Sequence, residues 1–595
     1  MLDLMSNLGK SLKDNKKVTD EEVLVDSAKL ENTKKVIYIL FRKDGSRYKY
    51  STVGVEDNHG AQRYLYSTGA SRGTDLTPSS LIIIDKDNPK NKFEKTLDNK
   101  ILGWLKKNES WLNDNGYIGL YDEVKSNEDE ILKAIENYYN NKEKPLLTIA
   151  FEDGVKSKFI GDIVVFKDYL KKEKRKRYYE SETYGKSTDK GTCFICGESG
   201  EVYGLVMSAI GFSFANIEKL GFFPNFRRED SWKYIPICEK CAMNIEAGKW
   251  YMDKHLSFNF YDIHYYVLPN INVDNANQIF ELLETYEGKS YDQGLMSEED
   301  FIKDLSKSNV IPNITFIFYK KKHSKYIDLL ELIDEVPPSN IKKIYDNELK
   351  VYEDPLFGEE TCKKLLGRKV EGKFVDNLKN KYKYTKYNWL TRFLYEFLSK
   401  RKVLGEQEFL KTMSDIMMLR NPKLKMNNLY MDQMRDSFFK GKNISYLALK
   451  SLMVTKFLKN LNMIDTQDTN MSYRPVDEEL ENFFKEYGVP DYGRPYFSVG
   501  VLVGYLLYKQ RKDMDYEFGK EPFRSKLYWL RLNPSRLKTI FTNAVQKLSE
   551  YGIENEKLVS TVGKYSVQVN SLNKVSVDDV SYYFTLGMVL WWKFA

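Results

Sequence analysis

Two Cys-x-x-Cys pairs constrain this chain more than any other feature of its sequence. They occupy residues 193–196 (CFIC) and 238–241 (CEKC), and the 41 residues 197–237 lie between them. Two residues between thiolates allow a tight turn to hold both sulfurs at about 2.3 Å from one tetrahedral ion, and a second such turn completes the coordination shell. The spacing therefore indicates one metal centre built from two distant parts of the chain.

Cysteine usage supports the same interpretation. The chain has only five cysteines, four of which stand in the two pairs, and in a reducing cytosol such pairs bind metal more often than they form disulfides. A shell of four sulfurs leaves no position for water, so the site is expected to be structural. The alternative is a set of unrelated buried or redox cysteines. We predict a structural Zn²⁺ held by Cys193, Cys196, Cys238 and Cys241.

An aromatic and basic cluster lies between the two pairs, at residues 222–228 (FFPNFRR). A loop fixed at both ends by a metal presents its polar side chains rigidly, as the reading of base edges requires. Asn225, Arg227 and Arg228 are thus candidate nucleic-acid contacts. In the alternative, the phenylalanines form the core of the metal-binding insertion and the arginines are solvated.

The first half of the chain predicts an α+β fold. Residues 35–42 (KVIYILFR) and 47–53 flank a turn and predict a β-hairpin. The chain is too long for one hydrophobic core. We expect an N-terminal α+β domain at 1–185, a zinc-binding insertion at 186–255, and a continuation of the α+β region with a helical connector at 256–464. Further strands are predicted at 146–151, 264–268, 314–319 and 326–333, with helices at 128–140 and 275–286.

Residues 63–80 (RYLYSTGASRGTDLTPSS) contain glycines, a proline and small hydroxyl residues. This composition favours an extended loop with exposed backbone. Arg72 on such a loop is a further candidate for contact with a ligand.

The C-terminal part has helical periodicity. Phe409, Met413, Ile416 and Met417 share one face of a helix. Beyond a polar linker at 465–473, about five helices predict a self-contained bundle at 474–595. Two of its helices carry clear start signals, which are Asn533 with Pro534, and Ser576 with Asp579 three residues later.

A net charge of +7 is compatible with a polyanionic partner. The densest positive run is 171–177 (KKEKRKR), which includes Lys174, Arg175, Lys176 and Arg177. Lys381 and Lys383 alternate with tyrosines. Such clusters neutralise phosphates while tyrosines stack on bases, although they are also typical of solvated surfaces.

Several function classes find no support in the sequence. It contains no secretory signal and no apolar run of the roughly 20 residues that span a bilayer, so we expect a cytoplasmic protein. It contains no P-loop, no GxSxG and no HExxH motif, and its four histidines stand alone. We therefore predict that the chain is not an enzyme.

The chain resembles a known family in a series of segments whose order and spacing carry the specificity. The segments are YLYSTGASRGTDLTPSS, GTCFICGESGEVYG, EKLGFFPNF, YIPICEKCAMNIEAGKWYMDKHLSF followed by YYVLP, YFSVGVLVGYLLYKQ and SYYFTLGMVLWW. Together they look like the large subunit of the type I-B CRISPR Cascade interference complex, from about residue 60 to the C-terminus.

This resemblance implies a non-catalytic subunit of an RNA-guided complex. Such a subunit reads the protospacer-adjacent motif, assists duplex opening, lies near the 5′ handle of the guide RNA and helps to recruit the helicase-nuclease. Its partners would also include target double-stranded DNA and the backbone and handle subunits. The C-terminal bundle resembles the small subunit, which an internal start at Met471 or Met463 would produce. The alternatives are a nuclease whose metal-binding carboxylates are scattered, and a zinc scaffold that contacts only protein.

Overall fold

We analysed a computed structural model of the chain. It describes residues 1–595 except 16, 31, 70–72, 84–92, 140–143, 155, 182–184, 213–220, 222–225, 261–262, 272–275, 277–278, 282–312, 323–325, 367–404, 465–473 and 569–574. The described residues form an α+β protein with a mixed sheet near the N-terminus, a four-cysteine cluster and a helical C-terminal region, which confirms the predicted fold class.

The chain divides into two compact units. The first comprises Met1–Ser257, Tyr266–Glu281 and Tyr319–Leu329, and the second comprises Phe258–Tyr265, Leu282–Phe318 and Leu330–Ala595. The predicted domain limits at 185, 255 and 464 stay predictions.

Thirteen strands are described. They are β1 Lys35–Asp44, β2 Arg47–Asp57, β3 Ser80–Leu81, β4 Leu146–Asp153, β5 Lys156–Phe159, β6 Glu180–Ser181, β7 Gly185–Lys186, β8 Thr188–Thr192, β9 Ser199–Tyr203, β10 Ser257–Phe260, β11 Ile263–Pro269, β12 Ile314–Lys322 and β13 Tyr326–Val336. One sheet has the order β2-β1-β4-β3 with β5 beside β4, and a second has the order β10-β11-β12-β13. The pairs β6-β7 and β8-β9 are short hairpins.

The first unit contains eleven described α-helices. They are α1 Leu2–Asp14, α2 Asp20–Leu24, α3 Ser27–Leu30, α4 Glu94–Thr96, α5 Gly103–Lys107, α6 Glu109–Asp114, α7 Leu120–Ser126, α8 Glu128–Tyr138, α9 Val164–Lys176, α10 Val206–Ala209 and α11 Glu239–His255. A π-helical stretch, Leu97–Leu102, joins α4 to α5.

The N-terminal hairpin forms as predicted. Strands β1 and β2 pair antiparallel around Gly45, whose φ of 62° suits the turn. β1 also pairs with β4 in parallel, from Val36 opposite Leu146 to Phe41 opposite Phe151. These four residues are buried, so the sheet anchors the core of the first unit.

The glycine-rich segment 63–80 differs from the prediction. Instead of an exposed loop, most of its described residues are buried. The Thr77 hydroxyl donates to the carbonyl oxygen of Leu65 at 2.7 Å, and the Ser79 hydroxyl donates to that of Tyr64 at 2.6 Å. The small hydroxyl residues therefore satisfy buried carbonyl groups of the segment itself, which is why its backbone needs no water.

Two glycines bring α1 against α11. A Cβ at Gly9 would lie 1.9 Å from the carbonyl oxygen of Asn244, and one at Gly248 would lie 2.1 Å from that of Met5. Any side chain at either position would separate the helices. Helix α1 thus packs its buried face on α11, the helix that begins at the second cysteine pair.

The second unit is largely helical. Its described α-helices are α12 Pro338–Tyr352, α13 Glu359–Leu366, α14 Glu406–Met417, α15 Met426–Phe439, α16 Ser445–Asn460, α17 Glu478–Tyr487, α18 Arg494–Asp513, α19 Pro534–Glu550, α20 Glu556–Val567 and α21 Val577–Leu590. Within the described part of the chain, none of the helices is long and apolar enough to cross a bilayer.

The predicted helix starts are confirmed. The side chain of Asn533 accepts a hydrogen bond from the backbone N–H of Arg536 at 2.9 Å, with Pro534 at the first helical position. The Ser576 hydroxyl oxygen accepts from the N–H of Asp579 at 3.0 Å. Each cap satisfies a backbone donor that has no partner within the helix.

Glycines also bring α18 and α21 close together. A Cβ at Gly500 would lie 2.0 Å from the carbonyl oxygen of Phe584, and a Cβ at Gly587 would lie 1.9 Å from that of Phe497. The packing of this helix pair therefore requires glycine at both positions.

We expect Gly500→Ala to lower the free energy of unfolding by about 2 kcal/mol, because the added methyl group overpacks a helix contact made through backbone atoms. The matched control is Gly563→Ala in α20, where the new Cβ would lie an ordinary 3.6 Å from Phe541 Cζ. This control should keep or raise stability, since alanine favours a helix more than glycine does. Urea unfolding followed by circular dichroism measures both, and equal stabilities for the two variants would contradict the close helix packing.

Candidate metal centre

The first cysteine pair forms the turn of the β8–β9 hairpin. The backbone N–H of Cys193 donates to the carbonyl oxygen of Glu198 at 2.9 Å, and the N–H of Gly197 donates to the carbonyl oxygen of Cys193 at 2.9 Å. Gly197 has a φ of 72°, a conformation that glycine adopts without strain. The turn directs both thiols of the pair to the same point.

The second pair lies at the start of α11. Cys238 is the residue that precedes the helix, and Cys241 lies in its first turn. Ile237 forms a β-bridge with Tyr203, the last residue of β9. The backbone N–H of Tyr203 donates to the carbonyl oxygen of Ile237 at 2.9 Å. This bridge holds the second pair beside the hairpin that carries the first.

The four sulfur atoms converge. Every pair of them lies within 4.8 Å, and the Sγ atoms of Cys196 and Cys238 are 3.8 Å apart. A tetrahedral ion with metal–sulfur bonds of about 2.3 Å gives sulfur–sulfur edges of about 3.8 Å. The four cysteines therefore fit one tetrahedral metal ion with little movement.

The electrostatics of the cluster suit a cation. Burial raises the pKa of the Cys193 thiol, but hydrogen bonds from the backbone N–H groups of Cys196, Cys238 and Ile195 outweigh it and lower the pKa to about 7. Burial raises the pKa of Cys238, and hydrogen bonds from Cys241 only partly oppose this rise. Burial also raises the pKa of Cys241, and the other three thiols raise it further. Four thiolates in one place repel each other, and a metal ion removes that repulsion.

The set of donors defines the chemistry of the site. Four soft thiolates suit zinc and other thiophilic metals, and a closed shell of protein ligands leaves no position for a substrate or an activated water. Cys193 and Cys241 are buried, whereas Cys196 is exposed. The arrangement can cross-link two segments of the chain and has no evident catalytic function.

The predicted basic run 171–177 lies on α9 and just after it, where its charges have partners within the first unit. Lys171 pairs with Glu21 at 3.1 Å and Lys176 pairs with Glu180 at 3.3 Å. The Arg177 guanidinium donates to the carbonyl oxygen of Ala209 at 3.3 Å. The run therefore stabilises the fold around it, a role that neither alternative weighed from the sequence had included.

Two members of this run contact the helix that begins at the metal centre. Lys174 is buried and lies 3.8 Å from Glu246, whereas Arg175 lies 3.2 Å from Glu239. Glu239 and Glu246 were not among the predicted site residues. They are seven residues apart and therefore lie on the same face of α11. This spacing is the signal that could have identified them as partners of a basic helix.

The other predicted contact residues are placed as follows. Arg227 is 66% exposed and lies 3.7 Å from Glu229 and 3.9 Å from Asp230, and Arg228 is half-buried. Phe226 beside them is 71% exposed. The remaining candidates, Arg72, Asn225, Lys381 and Lys383, lie outside the described residues.

Among the described residues, one other group of three potential metal ligands comes together, consisting of Glu94, Asp98 and Glu128. Burial raises the pKa of Asp98, and the Glu128 carboxylate raises it further. Lys125 lies 4.0 Å from Asp98 and 2.6 Å from Glu128. A lysine thus already supplies this cluster with positive charge.

The architecture defines a class of protein: an α+β region with a four-cysteine module, followed by a helical C-terminal region. Models of the family described as CRISPR-associated protein TM1802 match it in three parts, with the N-terminal domain at residues 1–172, the central domain at 190–336 and the C-terminal domain at 386–595. These matches cover most of the chain, which therefore belongs to the CRISPR-associated TM1802 family. The resemblance to a CRISPR large subunit is confirmed. A search of curated proteins found no match.

We expect the purified chain to carry about one metal ion and Cys193→Ser to lose most of it, because three thiolates no longer close the tetrahedral shell. The matched control is Cys362→Ser, which alters the fifth cysteine and leaves both pairs intact. Elemental analysis after gel filtration in a buffer without chelator measures the content. Equal metal content in the two variants, or much less than one ion in the parent chain, would contradict the assignment of the ligands.

Proposed function

We propose that this chain is the large subunit of a type I-B CRISPR interference complex. In that role it reads the protospacer-adjacent motif, assists duplex opening, contacts the 5′ handle of the guide RNA and helps to recruit the helicase-nuclease. The observation that carries the proposal is the match of three family domains over most of the chain. The partners are then the guide RNA, target double-stranded DNA, the backbone and handle subunits and the small subunit, in the cytoplasm.

We assign the metal as structural Zn²⁺. Four sulfurs within 4.8 Å of one another support this choice, and the 3.8 Å between Cys196 Sγ and Cys238 Sγ equals the edge of a ZnS₄ tetrahedron. The bound ion supplies a cross-link, and the chain's own residues do the rest: Cys193 and Cys196 hold the β8–β9 hairpin, while Cys238 and Cys241 hold the start of α11. The segment between the pairs is then fixed at both ends.

In an RNA-guided complex, the guide RNA and the protein contribute differently to sequence recognition. Guide pairing supplies most of the sequence specificity, so the protein needs to read only a few base pairs beside the target. Arginine is the residue that most often reads guanine in the major groove, through a bidentate contact. Arg227 and Arg228 lie in the segment between the cysteine pairs, and their position supports a role in reading the motif.

The ion pairs of Arg227 are of the weak, exchangeable kind. Its guanidinium is mostly exposed and its two carboxylate neighbours lie at 3.7 and 3.9 Å, where water screens the attraction. A phosphate or base edge can replace them at little cost. Arg175, Lys176 and Arg177 have closer internal partners, and Lys174 is buried beside Glu246. A role for these four residues in DNA contact therefore requires those partners to be released. For Arg72, Asn225, Lys381 and Lys383 the proposal rests on sequence.

We propose that the chain does not itself cleave nucleic acid. A nuclease with dispersed carboxylates is the alternative, and Glu94, Asp98 and Glu128 are its best candidate site. Incubation of the isolated chain with Mg²⁺ or Mn²⁺ and labelled DNA separates the two. Cleavage that Asp98→Asn abolishes would establish the alternative, whereas intact DNA supports the proposal.

We expect Arg227→Ala and Arg228→Ala each to reduce the preference of the assembled complex for motif-bearing over motif-lacking duplex. One bidentate base contact contributes about 1 to 3 kcal/mol, which corresponds to roughly 5- to 150-fold in the ratio of affinities. Filter binding with the two duplexes at one fixed salt concentration measures this ratio.

The matched control for these variants is Lys190→Ala, which removes an exposed positive charge from β8 in the same module. It should weaken binding to both duplexes equally, because a phosphate contact carries no sequence information. If the ratio of affinities for the two duplexes is unchanged in both arginine variants, Arg227 and Arg228 do not read the motif.

We also propose that the small subunit arises from an internal start at Met471 or Met463. Met463 is buried just beyond α16, and Met471 lies outside the described residues. In cells that express a C-terminally tagged gene, immunoblotting should detect the full chain and one short fragment. Met471→Leu or Met463→Leu should remove the fragment and leave the full chain. The absence of any such fragment from the parent gene would contradict the internal start.

A further inference from the structure

A cavity of about 600 Å³ lies in the helical part of the second unit, well apart in sequence from the cysteine pairs. Parts of α13, α15, α18 and α21 line it, together with the residues that follow α15 and α21. Sites for small ligands commonly enclose 300 to 1,000 Å³. The cavity therefore has room for a nucleotide-sized ligand.

The charge of the lining is one-sided. Lys364, Lys442, Arg511 and Arg524 line the cavity, and no acidic residue is among the described lining residues. Lys364 and Lys442 are exposed, and within the described part of the chain neither ammonium group has a carboxylate partner. Such a lining favours an anionic group at the mouth of the cavity.

The buried carboxylate of Glu521 fixes the positions of Arg511 and Arg524. Glu521 is fully buried and lies 2.5 Å from Arg511 and 3.6 Å from Arg524. Arg524 also donates to the carbonyl oxygen of Phe438 at 2.8 Å and stacks over its ring at 3.6 Å. One carboxylate therefore orders two arginines without joining the lining, so the cavity keeps an excess of positive charge.

One wall of the cavity is aromatic. The rings of Tyr508 and Trp591 stack at 4.3 Å with an angle of 27° between their planes, and Lys364 lies 4.7 Å above the ring of Trp592. Leu507 and Met588 add apolar surface. Proteins that bind single strands combine flat aromatic side chains, on which bases stack, with positive charge that contacts the phosphates.

Trp592 also carries a buried polar atom. Its indole Nε1 is buried and has no hydrogen-bond acceptor among the described residues. Indole N–H is a donor only, and buried donors in native proteins almost always have a partner. This atom is closed to solvent, so the case for a ligand comes from the charge and the aromatic surface of the cavity.

We infer that this cavity binds one unpaired nucleotide of a nucleic-acid strand, with its phosphate at Lys364 and Lys442 and its base against Tyr508, Trp591 and Trp592. An acidic peptide would satisfy the lysines but offers no flat ring to stack against the aromatic wall. The inference rests on the proposed function only in taking nucleic acid as the class of partner.

The experiment uses the full chain with fluorescently labelled ten-nucleotide strands, dT10 and rU10, that lack any motif. Lys364→Glu and Lys442→Glu should each weaken binding at least tenfold and reduce the slope of log affinity against log salt by about one. Trp592→Phe reduces the aromatic surface without changing the charge, and should weaken binding two- to fivefold with an unchanged slope. The matched control is Lys557→Glu on α20, an exposed lysine outside the cavity, which should bind as the parent chain does.

Photo-cross-linking gives a readout that does not depend on stability. A strand that carries one 5-iodouracil should cross-link to the peptide that contains Trp591 and Trp592 or to the peptide of Tyr508. Thermal unfolding of each variant identifies any that fail to fold. Where a variant fails to fold, the position of the cross-link on the parent chain tests whether the strand binds in the cavity.

Several outcomes would overturn the inference. They are equal binding by the parent chain and all three cavity variants, cross-links that map elsewhere, and competition by pyrophosphate or by a glutamate-rich peptide as strong as that by unlabelled dT10. Thymidine monophosphate that binds as tightly as dT10 would show a free-nucleotide site instead of a strand site. A difference between dT10 and rU10 identifies which strand is preferred.

The proposed function can fail separately. If the cavity binds strands as described but the assembled complex does not discriminate between motif-bearing and motif-lacking duplex, only the motif-reading role is contradicted. If the complex discriminates the motif while the cavity variants bind strands normally, only the cavity inference falls.

Discussion

The convergence of four thiols on one point is the constraint on which the central module depends. Within β8 and β9 only Val202 and Tyr203 are buried, so this hairpin has almost no hydrophobic core of its own. Small modules of this kind need a cross-link to be stable. A metal ion held by the four cysteines would join the hairpin to α11, and α11 in turn packs on α1 through Gly9 and Gly248. Such an ion would connect a weak hairpin to the body of the first unit.

Charge in this protein is divided between structure and surface. The basic run on α9 is dense in sequence, yet Lys174 and Arg175 pair with Glu246 and Glu239 on α11. Arg227 and the lysines at the cavity of the second unit are instead open to solvent or to a ligand. Local charge density in the sequence therefore does not show which positive charges already have partners within the fold.

The sequence predicted best where the cause is local. The cysteine spacing, the hairpin around Gly45 and the helix caps at Asn533 and Ser576 each depend on a few adjacent residues, and all are present in the structure. The burial of segment 63–80 was missed, because its hydroxyl residues resemble those of a solvated loop until Thr77 and Ser79 are seen to satisfy buried carbonyls.

Features made by distant residues could not be predicted in this way. The partners of Lys174 and Arg175 lie more than sixty residues away, and the cavity combines helices from across the second unit. Periodicity identifies the helices but not their neighbours, because pairing depends on the packing of whole faces. The close contact of α18 with α21 is of the same kind, since the glycines were visible but their partners were not.

X-ray absorption at the zinc edge of the purified chain identifies the atoms that bind the metal. We expect a single shell of four sulfur atoms at about 2.3 Å from zinc. A shell that contains nitrogen or oxygen, or a chain that folds fully with no bound metal, would contradict it.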